Sequence, residues 1–222
     1  MEIGSRKWQN FVIDGARKLS IEIDEGVSAQ FSVHASELIR WNRKINLTAI
    51  TNPRDIAIKH FLDSLAPARF MPDEARLLDI GSGGGFPGIP LKIVKSSLSV
   101  LMIDSVRKKV NFLKHVLRIL NLENIEALQI RAQNLAQEPG SANSFDVIIS
   151  RALSDLNPFV KSAVALLAPQ GTIIAMKGEV DAKELDAVRA NVPEDQYSMK
   201  VENYRLPSMN SLRSIVIIKH HP

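Results

Sequence analysis

Three glycines alternate behind an acid in the segment Asp79-Ile80-Gly81-Ser82-Gly83-Gly84-Gly85-Phe86-Pro87-Gly88. Without a Cβ, Gly81, Gly83 and Gly85 let the backbone turn tightly and come close to a ligand. The preceding run, Arg76-Leu77-Leu78-Asp79-Ile80, is short and apolar, like a buried strand, and residues 87–95 read as a helix. Ligands of open α/β sheets bind at the carboxyl ends of strands, which is where this turn falls. A second acid, Asp104, closes the next apolar run.

Two ligand classes use such a turn. A dinucleotide site wants Gly-x-Gly-x-x-Gly, with pyrophosphate on the helix N-terminus. Counting from Gly81 puts Phe86 at the third glycine position. Counting from Gly83 reaches Gly88, but Gly85 and Pro87 intervene. Acid-x-Gly-x-Gly-x-Gly, the turn of methyltransferases that use S-adenosylmethionine, is matched at each position. A carboxylate at Asp79 would repel pyrophosphate but suits a cationic ligand. S-adenosylmethionine carries a sulfonium and an ammonium and no phosphate. In both classes an acid at the place of Asp104 accepts hydrogen bonds from ribose hydroxyls, so it indicates an adenosine-bearing ligand without separating the two. An NAD-dependent oxidoreductase stays open on these residues.

The turn needs elements to hold it. Residues 1–70 read as helical, with no strand signal. Phe31, His34, Leu38, Trp41 and Ile45 recur at spacings of three and four, one face of a helix. A second helix is expected from Pro53 to Leu65, with Asn52 as its cap and Ile56, Phe61 and Leu65 turned inward. Beyond residue 75, strands expected at 76–80, 98–103, 125–130, 145–150 and 172–176 alternate with helices at 87–95, 107–120, 157–167 and 180–189. This alternation predicts a parallel sheet wrapped on both faces. The last strands, 199–204 and 214–219, are joined by a segment too short for a helical crossover, so they should pair antiparallel at one edge. The expected fold is therefore α/β and Rossmann-like: a mostly parallel seven-stranded sheet with an antiparallel edge pair. Residues 1–70 are an N-terminal helical extension and residues 71–222 the main domain.

Composition narrows the chemistry. The 222 residues are 45% hydrophobic and 23% charged, ordinary for a globular protein. The net charge of +4 permits a nucleic-acid partner without establishing one. There is no cysteine, which removes disulfides, a thiolate nucleophile and thiolate metal sites, and a reducing cytoplasm is expected. His34, His60, His115, His220 and His221 show no helical metal-ligand spacing, so no metal is expected. The N-terminus lacks the apolar core of a signal peptide, and no run of 18 apolar residues exists, so no membrane association is expected. A monomer is the expected state.

The chain resembles the bacterial RsmG (GidB) family in several segments taken in order: WNRKINLTAI at 41–50, HFLDSL at 60–65, LLDIGSGGGFPGIPLKI at 77–93, IDS at 103–105, FDVIISRAL at 145–153 and AMKG at 175–178. The resemblance runs from the N-terminal helices to the fifth strand. It implies an S-adenosylmethionine-dependent methyltransferase acting on N7 of a guanine in 16S ribosomal RNA of the small subunit. It also implies cofactor contacts at Gly81 and Phe86 in the turn, at Asp104 and Ser105 on the ribose side, at Ala132 and Gln133 near adenine, and at Arg151. Many members carry Glu where this chain has Gln133; backbone contacts survive that change, whereas a carboxylate acceptor does not. A ribosome-binding module without activity is a further reading, against which the intact glycine turn argues.

The sequence is compatible with that chemistry. The fourth strand lacks the Asn/Asp-Pro-Pro-aromatic motif of many amino-group methyltransferases, and no cysteine is present for attack at a pyrimidine. Guanine N7 has an in-plane lone pair and loses no proton. It needs neither device, only alignment with the methyl group, and no catalytic residue is assigned. Arg131, Arg151 and Lys177 all follow expected strands and should gather at the ligand edge, where they can hold RNA phosphate or guanine O6. Asn46 is either a cap for its turn or an RNA contact. Arg107, Lys108, Lys109, Lys114 and Arg118 give one helix a basic side, which as a sequence feature reads first as a solvated face.

Overall fold

A computed structural model describes residues 1–151, 155–209 and 211–221. Seven strands, β1 (Arg76–Ile80), β2 (Ser99–Asp104), β3 (Ile125–Gln129), β4 (Phe145–Arg151), β5 (Leu167–Lys177), β6 (Tyr197–Arg205) and β7 (Leu212–His220), form one sheet in the order β3-β2-β1-β4-β5-β7-β6. Strands β1 to β5 pair parallel, and β7 runs antiparallel between β5 and β6. The chain builds outward from β1 to β3, then crosses to place β4 on the other side of β1. That reversal opens a crevice above the carboxyl ends of β1 and β4, the usual ligand position in such sheets.

The helices are α1 (Arg6–Arg17), α2 (Glu25–Asn42), α3 (Pro53–Ile56), α4 (Asp63–Leu65), α5 (Gly88–Val94), α6 (Arg107–Ile119), α7 (Ala132–Leu135), α8 (Leu156–Val164) and α9 (Ala182–Arg189). A π-helical stretch, Ala57–Leu62, joins α3 to α4, and a 3₁₀ turn, Ala66–Phe70, follows. Alternation along the strands divides the core. On one face Leu77, Val147 and Ile174 share an apolar cluster with Trp8, Phe31 and Phe61 of the N-terminal helices and with α5 and α6. On the other, Leu78, Ile148 and Ile173 pack against α8 and α9. Residues 1–70 are thus built directly onto the sheet. Phe61 sits at the junction, edge-on to Trp8 with ring centroids 5.8 Å apart and 4.8 Å from Phe31. Trp8 Nε1 donates to the Pro53 carbonyl at 2.9 Å, which satisfies the polar end of a buried indole.

Some boundaries differ from the sequence reading, for local reasons. Helix α2 stops at Asn42 because that side chain caps the following loop: its Oδ1 accepts from Leu47 N and Thr48 N, and its Nδ2 donates to the Thr48 carbonyl. Ile45 therefore packs from the loop rather than from the helix face. Strand β5 begins at Leu167, not Thr172, because the Pro169-Gln170-Gly171 segment is carried as an irregularity, with Gln170 at φ 64° and a register shift against β4. Helix α7, a single turn, is too short to show periodicity and was not expected.

Because Phe61 joins α1, α2 and the sheet, Phe61→Ala is expected to cost about 3–5 kcal/mol, read as the shift in a urea unfolding curve. A loss below about 1 kcal/mol would show that the N-terminal helices hold to the sheet without it.

Candidate active site

The turn after β1 is held from below. Asp79 is fully buried, and its Oδ2 accepts from Gly88 N at 2.9 Å, the first residue of α5. A Cβ at Gly88 would come within 2.7 Å of that oxygen, so the approach requires glycine. Burial pushes the Asp79 carboxyl up to about 7, and its Oδ1 has no hydrogen-bond partner among the described residues. Above the acid, Gly81 N donates to Ile103 O at 2.8 Å and Gly83 N to Asp104 Oδ2 at 3.1 Å. Gly81, Gly83 and Gly85 take φ of 73°, 54° and 87°, a region L side chains avoid. Asp79 therefore works beneath the turn as the clamp on the α5 amino end. It occupies the first N–H of α5, the kind of donor a pyrophosphate would use, which counts against a dinucleotide site.

A cavity of about 470 Å³ opens over the carboxyl ends of β1, β2 and β4. Gly81, Asp104, Ser105, Arg131, Ala132, Gln133 and Arg151 line it, seven of the residues singled out from sequence. A Cβ built on Gly81 would meet no atom within 4 Å and would project into open space. The Asp104 carboxylate holds its wall in place, accepting from Gly83 N and, at 2.8 Å, from Val106 N; Lys109 Nζ lies 3.9 Å away. Gln133 Nε2 donates to Ser162 Oγ at 2.9 Å, which holds the amide in the wall with its Oε1 and second N–H unused among the described residues. The open face of Gly81, an acid able to accept further hydrogen bonds, and apolar sides at Ile80, Ile130 and Phe159 fit an adenosine-bearing cation.

Phe86, Gly83 and Gly85 lie behind this cavity. The Phe86 ring is stacked between two imidazoles, His34 at 4.7 Å and His60 at 4.6 Å, each 13° from parallel. His34 Nε2 donates to Gly84 O at 2.8 Å, and burial lowers its pKa to about 4. His60 is held lower still, to about 3, by burial and then by the adjacent Arg151 charge. Arg151 Nη2 lies 3.1 Å from His60 Nδ1, and a guanidinium can only donate, so the imidazole proton sits on Nε2, 2.9 Å from Thr48 Oγ1.

Arg151 also lines a second cavity of about 380 Å³, with Lys59, His60, Asp63, Lys177 and Arg213 among its walls. Its guanidinium donates to the Lys59 carbonyl at 2.5 Å and lies 3.5 Å from Asp63. Asp63 is buried, takes a hydrogen bond from Tyr204 OH at 2.6 Å and lies 3.7 Å from Arg213 Nε. Lys177 pairs with Glu184. Lys177 thus faces the second cavity, Arg131 the first, and Asn46 is exposed and lines neither. Ala152 and Leu153 of the FDVIISRAL segment lie outside the described residues. Sequence reasoning did not single out His60, Asp63, Tyr204 or Arg213. The HFLDSL segment held a signal for the first two. Tyr204 and Arg213 come from strands with no local motif.

Comparison with known proteins agrees with this geometry. A methyltransferase from Aquifex aeolicus described as SAM dependent superposes with a TM-score of 0.56 at 18% identity, covering 83% of this chain and 97% of that one. The sheet order, the glycine turn and the crevice are those of the Rossmann-like S-adenosylmethionine-dependent methyltransferase fold. Residues 28–215 match the family model GidB, rRNA small subunit methyltransferase G. A ribosomal RNA small subunit methyltransferase G from Geobacter sp. (strain M21) is 45% identical over 211 residues, 92% of this chain and 94% of that protein. Another from Geobacter sulfurreducens is 44% identical over 206 residues, with the same coverage. The chain belongs to the GidB family of rRNA small subunit methyltransferases. Among the described residues no helix is long and apolar enough to cross a membrane, and no group of three His, Cys, Asp or Glu side chains could hold a metal.

The buried histidines make stability depend on pH. Unfolded, both would protonate below about pH 6.5. Their folded pKa values of about 4 and about 3 mean that stability present above that point is lost as pH falls through this window. Asp79 acts in the opposite sense: raised to about 7, it favours the fold at acid pH, and that contribution fades as pH rises to about 7. The stability advantage of the wild type over His60→Asn, measured by urea unfolding, is expected to shrink between about pH 7 and about pH 4. A constant gap across that range would assign the linkage elsewhere.

Proposed function

We propose that this chain transfers a methyl group from S-adenosylmethionine to N7 of a guanine in 16S ribosomal RNA of the small subunit. The observation that carries the reading is the pair of adjoining cavities that share Arg151, the first walled by Gly81 and Asp104, the second by cationic side chains. Family membership supports the rRNA substrate. When bound, S-adenosylmethionine supplies an electrophilic methyl carried on a sulfonium. Asp104 accepts from ribose hydroxyls, and the open face of Gly81 lets the ligand lie against the backbone. Ala132 and Gln133 close the adenine end. In the second cavity Lys59, Arg151, Lys177 and Arg213 offer donors to guanine O6 or a flanking phosphate. N7 brings its own lone pair and gives up no proton, so the residues position the base and exclude water rather than move a proton. Asp63, in the wall of the second cavity, and Glu184, paired with Lys177 of that wall, are already engaged by cations. Action as a monomer in the cytoplasm goes with this reading.

The test is methyl transfer from labelled S-adenosylmethionine to small ribosomal subunits that lack the modification. Labelled 7-methylguanosine in 16S RNA is the expected product. A different labelled nucleoside would reject the acceptor while keeping the cofactor. Asp104→Asn is expected to weaken S-adenosylmethionine binding by about tenfold or more in calorimetry, the loss of a charged acceptor. Unchanged affinity would remove Asp104 from the cofactor site.

A further inference from the structure

Helix α6 has the sequence RKKVNFLKHVLRI and contains no acid. Arg107, Asn111, Lys114 and Arg118 follow at spacings of four, three and four, which sets them in one line on the helix. All four are exposed, while Val110, Leu113, Val116 and Leu117 are buried. Among the described residues, Arg107, Lys114 and Arg118 take part in no ion pair or hydrogen bond through their side chains. Several exposed cations on other helices have an acidic partner three residues away, Arg17 with Asp14, Arg40 with Glu37 and Arg189 with Asp186. Where exposed cations lack one, as at Arg6, Lys7 and Lys161, they do not form a line of three along a helix.

The arrangement is unfavourable for the helix alone. Arg107, Lys108 and Lys109 occupy the first turn, which has no acid and no side-chain cap; Lys109 pairs with Asp104, while Arg107 and Lys108 face the positive end of the helix dipole with no carboxylate partner among the described residues. Lys114 and Arg118 are like charges one turn apart. A merely solvated face would gain from acids in these places. A polyanion laid along the line converts the repulsion into attraction. The position suits such a partner, because α6 begins at the mouth of the first cavity, where Val106 and Lys109 form part of the wall. From there the line runs about 16 Å from Arg107 to Arg118, at about 1.5 Å of rise per residue.

We propose that this face of α6 is the docking tract for the phosphate backbone of the RNA whose base enters the active site. The proposal rests on the rRNA reading above and extends it from the crevice to the surface. Phosphate contacts of this kind set register and orientation without reading sequence. The arrangement can therefore hold a strand across the cavity mouth while the crevice selects the base.

The experiment measures binding of a small-subunit ribosomal RNA transcript, and of an unrelated RNA, across a range of salt concentrations. The triple variant Arg107→Gln, Lys114→Gln, Arg118→Gln is compared with a control that removes equal charge from exposed positions on α1 and its C-terminal cap: Arg6→Gln, Lys7→Gln, Lys18→Gln. The α6 variant is expected to lower the slope of log affinity against log salt by about 2–3, at about 0.7–0.9 per lost phosphate contact, for both RNAs. S-adenosylmethionine affinity and the thermal midpoint should stay at the wild-type values, and the α1 control should keep the wild-type slope. An unchanged slope in the α6 variant, or an equal fall in the control, overturns the proposal and leaves the rRNA reading standing. Absence of RNA binding by a wild-type protein that binds S-adenosylmethionine overturns both.

Discussion

The arrangement around the site follows from the burial of one guanidinium. Arg151 ends the central strand β4 with its side chain 15% exposed, and a cation so placed must be compensated. Asp63 supplies the countercharge, the Lys59 carbonyl accepts one N–H, and His60 is kept neutral so that it can accept another. Its Nε has no partner among the described residues. These demands reach outward: Asp63 needs the Tyr204 hydroxyl, His60 needs Thr48, and Thr48 needs the Asn42 cap that ends α2. The N-terminal helices and the last two strands are thus joined to the crevice through one charge.

The same neutrality builds the floor of the glycine turn. Two uncharged imidazoles can stack face to face on Phe86 without mutual repulsion; two imidazoliums could not. The stack fixes the turn laterally, while Asp79 fixes it from beneath through Gly88. The acid in the motif and the phenylalanine beside it therefore serve the ligand indirectly. They hold Gly81 and the Gly83 N–H in the positions from which the cavity wall is made.

Much of this was legible in the sequence. The strand–turn–helix around Gly81 and the antiparallel ending follow from apolar runs and glycine spacing, which are local signals. Gly81, Asp104, Ser105, Ala132, Gln133 and Arg151 meet in one cavity because parallel strands bring their carboxyl ends together. What the sequence concealed was direction. Nothing local says that Asp79 and Phe86 are buried outside the lining of the first cavity, or that Arg151 turns toward the helices. Asp63 and Tyr204 lie 141 positions apart and meet only because β6 is carried back to the site side of the sheet. The cationic line on α6 was visible as composition, but its lack of acidic neighbours in space required the fold.

The position of β7 has a consequence for the timing of synthesis. Arg213 lines the second cavity and Tyr204 bonds its Asp63, yet β6 and β7 leave the ribosome after every other strand, and β7 must slot between β5 and β6. Until then Asp63 lacks two of its partners and the edge of β5 is unpaired. A chain without β7 lacks Arg213 from the wall of the second cavity, whatever its earlier strands have formed. The last strands to be made are thus the ones that close the second cavity and satisfy a buried carboxylate deep in the N-terminal part of the chain.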